Sequence, residues 1–272
     1  MRRALVLALA PAIAALAAPA FAQGESVRSL MQTARGQSSE GNMTGALESL
    51  RKARSLAPNS EEVLSAFAQV AIAARQPVAA VGALEPLTRM CPSVAQYHFM
   101  LGVAFLQAGA IPAASDALQT AQRAAPDNPR VLVALGLALN IRKQHAEARS
   151  YLARGLELDP ENVDALAAVA EAEDALGDAN AEAHAARAVA RQPDHAMANY
   201  ALGLIRMKQT RYAEARDALL RAVAADPRLA RAHYQLSLAY ARLGDEASAQ
   251  KHVELYQQQM RQTEVELKKL PR

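Results

Sequence analysis

Prolines recur at an almost constant interval along this chain, and this spacing constrains its fold more than any other feature. The six are Pro58, Pro92, Pro126, Pro160, Pro193 and Pro227. Their successive separations are 34, 34, 34, 33 and 34 residues. Proline ends helices because its ring has no N–H and disfavours helical geometry in the preceding residue. The interval therefore predicts a tandem array of one helical unit.

Small residues recur in the same register. With each proline at position 32, seven units begin at residues 27, 61, 95, 129, 163, 196 and 230, and the fifth unit is one residue short. Position 8 carries Ala34, Ala68, Gly102, Gly136, Ala170, Gly203 and Ser237. Glycines such as Gly109 and Gly177 lie near the middle of a unit and predict a turn between two helices. No sustained alternation of apolar and polar residues predicts a strand.

This pattern resembles the tetratricopeptide repeat, a helix-turn-helix unit of 34 residues. The resemblance covers seven tandem repeats over 27–60, 61–94, 95–128, 129–162, 163–195, 196–229 and 230–263. It implies an all-α fold, a right-handed superhelical solenoid whose concave surface is lined by the first helix of each pair. Residues 264–272 are expected to be the end of a capping helix and a polar tail.

The first 22 residues are typical of a secretory signal peptide. Two arginines precede an apolar run that ends in Ala20-Phe21-Ala22, and the small residues Ala20 and Ala22 predict cleavage before Gln23. The mature protein is then expected to be periplasmic or secreted, without membrane insertion. The alternative is a membrane anchor formed by an uncleaved signal, since the apolar run is almost long enough to span a bilayer.

Composition argues against nucleic acid as a partner. The signal segment contains two of the 30 Lys and Arg residues, which leaves 28 against 27 Asp and Glu in the mature chain. Nucleic-acid binding requires a concentrated basic surface, and no basic stripe with interleaved aromatic residues is present.

No pattern in the sequence indicates an enzyme, a metal site or a cofactor. The six histidines include no pair at metal-ligand spacing on a helix, and neither a glycine-rich phosphate loop nor a nucleophile elbow occurs. Cys91 is the only cysteine, so an internal disulfide is impossible, and either a buried thiol or an intermolecular disulfide is left open. We expect no catalytic residues and no cofactor.

One acidic cluster, Glu171, Glu173 and Asp174, could be mistaken for a carboxylate site. Glu173 and Arg206 share position 11 in consecutive units, where the resemblance places their side chains side by side. A lone buried charge is costly, so we predict a structural ion pair between Glu173 and Arg206.

The family usually binds its partners on the concave surface, where positions 2, 5, 9 and 12 share a face. The carboxylate clamp of some members is absent, since position 9 carries mostly apolar residues or Glu171. Apolar residues dominate the rest of this surface and predict a protein-binding groove. Its candidate residues are Phe99, Val103, Leu106, Val133, Leu137, Ile141, Tyr200, Leu204, Met207, Tyr234 and Leu238. The alternative is that these side chains pack against one another inside a tight superhelix.

These expectations together describe a non-enzymatic scaffold or adaptor of the cell envelope. It would bind an apolar segment of a protein or peptide partner in the concave groove. The alternative is a structural subunit of an envelope assembly or secretion complex that uses its edges or its convex face.

Overall fold

A computed structural model describes the backbone of residues 18–270 and the side chains of residues 26–270. Most of the predicted signal segment, and the side chains of Ala20 and Ala22, lie outside the described residues. The chain forms two compact units, Met1–Leu87 and Thr88–Arg272, called here the N-terminal and C-terminal units.

The described residues form fourteen helices and no strand, which confirms the predicted all-α fold. Their bounds are α1 Ala18–Ser39, α2 Met43–Leu56, α3 Glu61–Ala73, α4 Pro77–Met90, α5 Ala95–Ala108, α6 Ile111–Ala124, α7 Pro129–Ile141, α8 His145–Leu158, α9 Val163–Leu176, α10 Ala181–Arg191, α11 Ala196–Lys208, α12 Tyr212–Ala225, α13 Ala230–Arg242 and α14 Glu246–Lys268. Within the described range, no helix is both long enough and apolar enough to cross a bilayer.

Odd-numbered helices are the first helices of the repeats. From α3 onward they begin at Glu61, Ala95, Pro129, Val163, Ala196 and Ala230. These are the residues at which the second to seventh predicted units start. The short fifth unit has the short second helix, because α10 contains 11 residues whereas its neighbours α8 and α12 contain 14 each.

Every repeat turns between its two helices through one left-handed residue at position 15. Gly41, Gly109, Gly177 and Gly244 take this conformation with φ between 76° and 81°. Arg75, Lys143 and Thr210 take it in the other three repeats with φ between 51° and 63°. A side chain disfavours this geometry, so the surrounding packing determines the turn where glycine is absent.

Position 8 is where the two helices of a repeat approach most closely. In three repeats a glycine there faces a leucine sixteen residues later, and the pairs are Gly102–Leu118, Gly136–Leu152 and Gly203–Leu219. A Cβ atom built on Gly136 would lie 2.4 Å from Leu152 Cγ. The fifth repeat uses two alanines instead, because Ala170 and Ala185 meet in one buried cluster. The two facing side chains together therefore have to fit the space between the two helices.

In the C-terminal unit, the first helices form the inner row of the array. Each contacts the next first helix, in the series α5, α7, α9, α11 and α13. The second helices α6, α8, α10 and α12 pack on the first helix of their own repeat and on that of the next. Direct contact between successive first helices places them on the concave side.

The last helix links repeats that are distant in sequence. Helix α14 has 23 residues and contacts α5 as well as its own partner α13. Thr263 lies against the turn of the third repeat, since a Cβ atom built on Gly109 would be 2.7 Å from Thr263 Cγ2. The first and last repeats of the C-terminal unit therefore touch.

A buried pair of histidines joins α14 to α13. His233 Nε2 lies 3.2 Å from the carbonyl oxygen of Pro227, which can only accept, so this nitrogen donates. His233 Nδ1 then accepts from His252 Nδ1 at 2.9 Å. Tyr240 stacks on the His252 ring at 5.6 Å. Burial, followed by the charges of His233 and Lys251, lowers the pKa of His252 below its ordinary value.

We predict that Gly136→Ala destabilises the protein by about 1–3 kcal/mol, because the added methyl overlaps Leu152. The matched control is Gly36→Ala, since Gly36 is also helical but has nothing within 4 Å of its built Cβ atom. The control should raise stability by about 0.5–1 kcal/mol through the helix preference of alanine. Chemical denaturation measures both changes, and equal effects would disprove the close contact.

The histidine pair predicts that stability falls in acid. The unfolded chain binds a proton at His252 near the ordinary pKa of 6.5, whereas the folded chain resists it. Stability is therefore retained above that pH and lost as the pH falls below it.

The matched variant is His233→Asn. Asn199 occupies the same position in the sixth repeat and donates to Pro193 O at 2.7 Å, so asparagine can keep the bond to Pro227. Thermal melts at several pH values should show a smaller acid loss in His233→Asn than in the parent. An unchanged pH profile would show that the pair does not control acid stability.

Candidate protein-binding groove

The predicted groove residues lie on four helices of the inner row, α5, α7, α11 and α13. They differ in accessibility. Phe99, Val133 and Tyr200 are buried. Val103, Leu106, Leu137, Leu204 and Met207 are partly exposed. Ile141, Tyr234 and Leu238 are exposed by 39%, 46% and 39%, so they form the part of the surface that is most open to a partner.

Two of the buried aromatic residues are covered by arginines from the next repeat. Arg130 lies over the Phe99 ring at 5.0 Å, and Arg231 lies over the Tyr200 ring at 4.7 Å. Tyr200 also packs against Leu219 and Leu236, and burial raises its pKa to about 12. These aromatic rings are internal packing, in agreement with the alternative left open by the sequence.

A pattern in the sequence marks these two arginine–aromatic contacts. Both aromatic residues are at position 5 of a unit, and both arginines are at position 2 of the following one. Cation–π contacts of this kind stabilise a folded chain by about 0.5–1 kcal/mol at exposed sites and more where they are desolvated.

The most open apolar patch is at the C-terminal end of the inner row. Tyr234 and Leu238 are four residues apart on α13 and therefore share one face. The Tyr234 ring contacts the Tyr256 ring of α14, with a centroid distance of 5.5 Å. In the neighbouring repeat, Leu204 and Met207 pack beside the buried Tyr200 cluster. The first helices of the sixth and seventh repeats thus both carry apolar side chains that are at least partly exposed.

Acidic residues of the fifth repeat interrupt the apolar strip, and their partners are His195, which caps α11, and basic residues of the sixth and seventh repeats. Asp164 Oδ1 lies 3.1 Å from His195 Nε2, and Asp174 Oδ2 lies 2.8 Å from Lys208 Nζ. Glu171 Oε1 accepts from Arg231 Nη1 at 2.7 Å, two repeats away. These acids therefore tie neighbouring repeats together.

Glu171 is the most buried of these acids, with 9% of its surface exposed. Its Oε1 is bound to Arg231, whereas its Oε2 is buried without a hydrogen-bond partner. Arg231 thus contacts both Glu171 and the Tyr200 ring. The two contacts fix one guanidinium across the inner row.

The predicted ion pair between Glu173 and Arg206 is wrong. Glu173 Oε2 is bonded to His184 Nδ1 at 2.7 Å, and Arg206 Nε lies 3.8 Å from Glu214 Oε2. Position 11 faces the second helix of its own repeat, so Glu173 contacts α10 and Arg206 contacts α12. Side chains at the same position in successive repeats are therefore separated.

The described residues contain no group of three His, Cys, Asp or Glu side chains that could hold a metal ion. Cys91 is partly exposed. The groove offers apolar contact area and paired charges.

Comparisons with known proteins agree with this architecture. A family model described as tetratricopeptide repeat matches residues 65–129, 111–163, 179–230 and 200–259. No curated protein sequence matches the chain.

Three solved structures are similar in fold. A tetratricopeptide repeat protein from Parabacteroides merdae ATCC 43184 has a TM-score of 0.67 at 14% identity, over 90% of this chain and 98% of its own. The human IFIT1 dimer with PPP-AAAA has a TM-score of 0.64 at 17% identity, over 86% and 61%. The APC/C hetero-tetramer Cut9-Hcn1 has a TM-score of 0.61 at 14% identity, over 80% and 43%.

The predicted resemblance is thereby confirmed. The matched segments cover more than half of the sequence and coincide with helical hairpins that repeat every 33 or 34 residues. This chain belongs to the tetratricopeptide repeat family.

Proposed function

We propose that this protein is a non-enzymatic scaffold of the cell envelope that captures an apolar segment of a partner protein on its inner row. The fold of its family is typical of protein–protein interaction scaffolds. The observation that carries the proposal is the exposed pair Tyr234 and Leu238 on α13, together with the partly exposed Leu204 and Met207 on the preceding first helix α11.

Charge favours an apolar partner over a charged one at this surface. The acids of the fifth repeat are already bonded to His195, Lys208 and Arg231. A charged segment would have to displace these contacts, whereas an apolar segment gains by burying open side chains. Fully burying one leucine contributes about 1.5–3 kcal/mol.

The envelope location rests on the sequence of residues 1–22. Two arginines, an apolar run and the small residues Ala20 and Ala22 support export and cleavage before Gln23. A membrane anchor is the alternative. In either case the array would act outside the cytoplasm.

A structural subunit of an envelope assembly is the second candidate function. It is favoured by an outer cavity between α8 and α10, which lies on the second-helix side of the array. A subunit of this kind would use the convex face and leave the inner row unoccupied.

Crosslinking in intact cells tests the groove. A photo-reactive amino acid at Leu238 or Ile141 should crosslink a partner, and mass spectrometry should identify the joined peptide. The matched control is Leu220, which is exposed by 37% on the second helix α12. A partner joined at Leu220 and at neither inner position would favour the second candidate.

The identified peptide then allows a quantitative test. We expect Leu238→Asp to weaken its binding by roughly 10- to 100-fold, the equivalent of losing one buried leucine. Leu220→Asp should retain parental affinity. Because both side chains are exposed, helicity and melting temperature should stay near those of the parent. Parental affinity in Leu238→Asp would exclude this part of the groove.

Export predicts a shorter mature chain. The intact mass of protein isolated from the envelope should lack residues 1–22, because cleavage is expected before Gln23. A full-length chain in the membrane fraction would support the anchor instead.

A further inference from the structure

The outer cavity lies between the second helices of the fourth and fifth repeats. Its volume is about 660 Å³. Helix α8 lines it with small or mixed side chains, α9 forms the floor, and α10 contributes one histidine. The lining residues are Ala146, Arg149, Ser150, Ala153, Leu156, Glu157, Val169, Glu173 and His184.

The sequence explains why space is left here. Ala146, Ser150 and Ala153 share one face of α8, and none of them is large enough to reach α10. The facing helix α10 is short, and its contact with α9 is made through Ala185 rather than a leucine. Small side chains on both sides therefore leave the space between α8 and α10 unfilled.

The floor carries a carboxylate where the preceding repeat buries an apolar side chain. Glu173 is at position 11, which is occupied by the buried Leu139 in the fourth repeat. Glu173 is only 6% exposed, and its hydrogen-bond partner is His184. Burying a carboxylate is costly unless a cation compensates it.

The balance of charge around the cavity is negative. Two carboxylates of the lining are Glu157 and Glu173, and Asp178 is bonded to the lining residue Arg149. These three acids and Asp127, which is also bonded to Arg154, outnumber the two guanidiniums Arg149 and Arg154. Arg149 is 47% exposed, whereas Glu173 is at the buried floor.

We propose that this cavity binds the basic side chain, lysine or arginine, of a partner protein. The aliphatic stem would lie along Ala153, Leu156 and Val169, and the cationic group would meet Glu173. Long basic side chains combine an apolar stem with a charged end, which is the same arrangement as these walls and this floor. The site is on the opposite side of the array from the groove and is independent of it.

Small probes test this site in the full-length protein. Butylguanidinium reproduces the stem and head of arginine, and butylurea has nearly the same shape without the charge. We expect butylguanidinium to give saturable shifts of the Val169 and Leu156 methyl resonances in NMR spectra. Butylurea should bind at least about tenfold more weakly, a difference of about 1.4 kcal/mol.

Two variants and one control locate the interaction. Glu173→Gln keeps a hydrogen-bond acceptor for His184 but removes the charge, and it should weaken butylguanidinium binding by about tenfold or more. Ala153→Leu fills the cavity from an exposed position and should also weaken binding. Glu147→Gln changes an exposed acid of α8 outside the lining and should bind like the parent.

The outcomes separate clearly. The proposal is overturned if butylurea binds as tightly as butylguanidinium, or if Val169 and Leu156 show no saturable shift. It is also overturned if Glu173→Gln and Ala153→Leu both keep parental affinity. If Glu173→Gln loses helicity, Ala153→Leu decides the question, because it leaves the buried carboxylate and its bond to His184 unchanged. If Leu238→Asp keeps parental affinity for its peptide while butylguanidinium binds in the cavity, the groove proposal fails and the cavity proposal holds.

Discussion

The contact between position 8 and the residue sixteen positions later is the constraint on which the rest of this structure depends. It sets the distance between the two helices of a repeat. It is satisfied by glycine with leucine in three repeats and, in the short fifth repeat, by Ala170 with Ala185, which lies one residue earlier. Interiors of proteins are packed so closely that one methyl group matters. Because every repeat rests on the previous one, an error in this spacing would be transmitted along the inner row and would change the surface that a partner meets.

Much of the fold was predictable from the sequence because its determinants are local and periodic. Proline and small residues act within one hairpin, so their spacing alone indicated where Ala95, Pro129 and Val163 would begin helices. The side-chain partners were harder to predict. Register placed Glu173 and Arg206 at equivalent positions, but the direction in which position 11 points, toward its own second helix, depends on how the hairpins stack. The partner of Glu171 is sixty residues away, and sequence spacing gives no direct sign of it.

The candidate groove was predictable as a set of positions but not as an accessible surface. Phe99 and Tyr200 are apolar residues on the correct face, yet Arg130 and Arg231 cover their rings. Tyr234 is at the same position of the seventh repeat, where it is 46% exposed and contacts the Tyr256 ring of α14. The same position is therefore buried in one repeat and exposed in another, depending on what packs beside it. The outer cavity has a different origin, since it arises from small side chains on α8 and the shortened α10.

The contact between α14 and α5 has a consequence for how such a chain can change over generations. An array with free ends can gain or lose a hairpin by duplication or deletion without a geometric penalty, since each unit contacts only its neighbours. In the C-terminal unit, the end of the last helix lies against the turn at Gly109. One added hairpin would carry Thr263 away from that turn. The contact between α14 and α5 therefore fixes the number of repeats between these two helices, much as closure of a β-barrel fixes its number of strands.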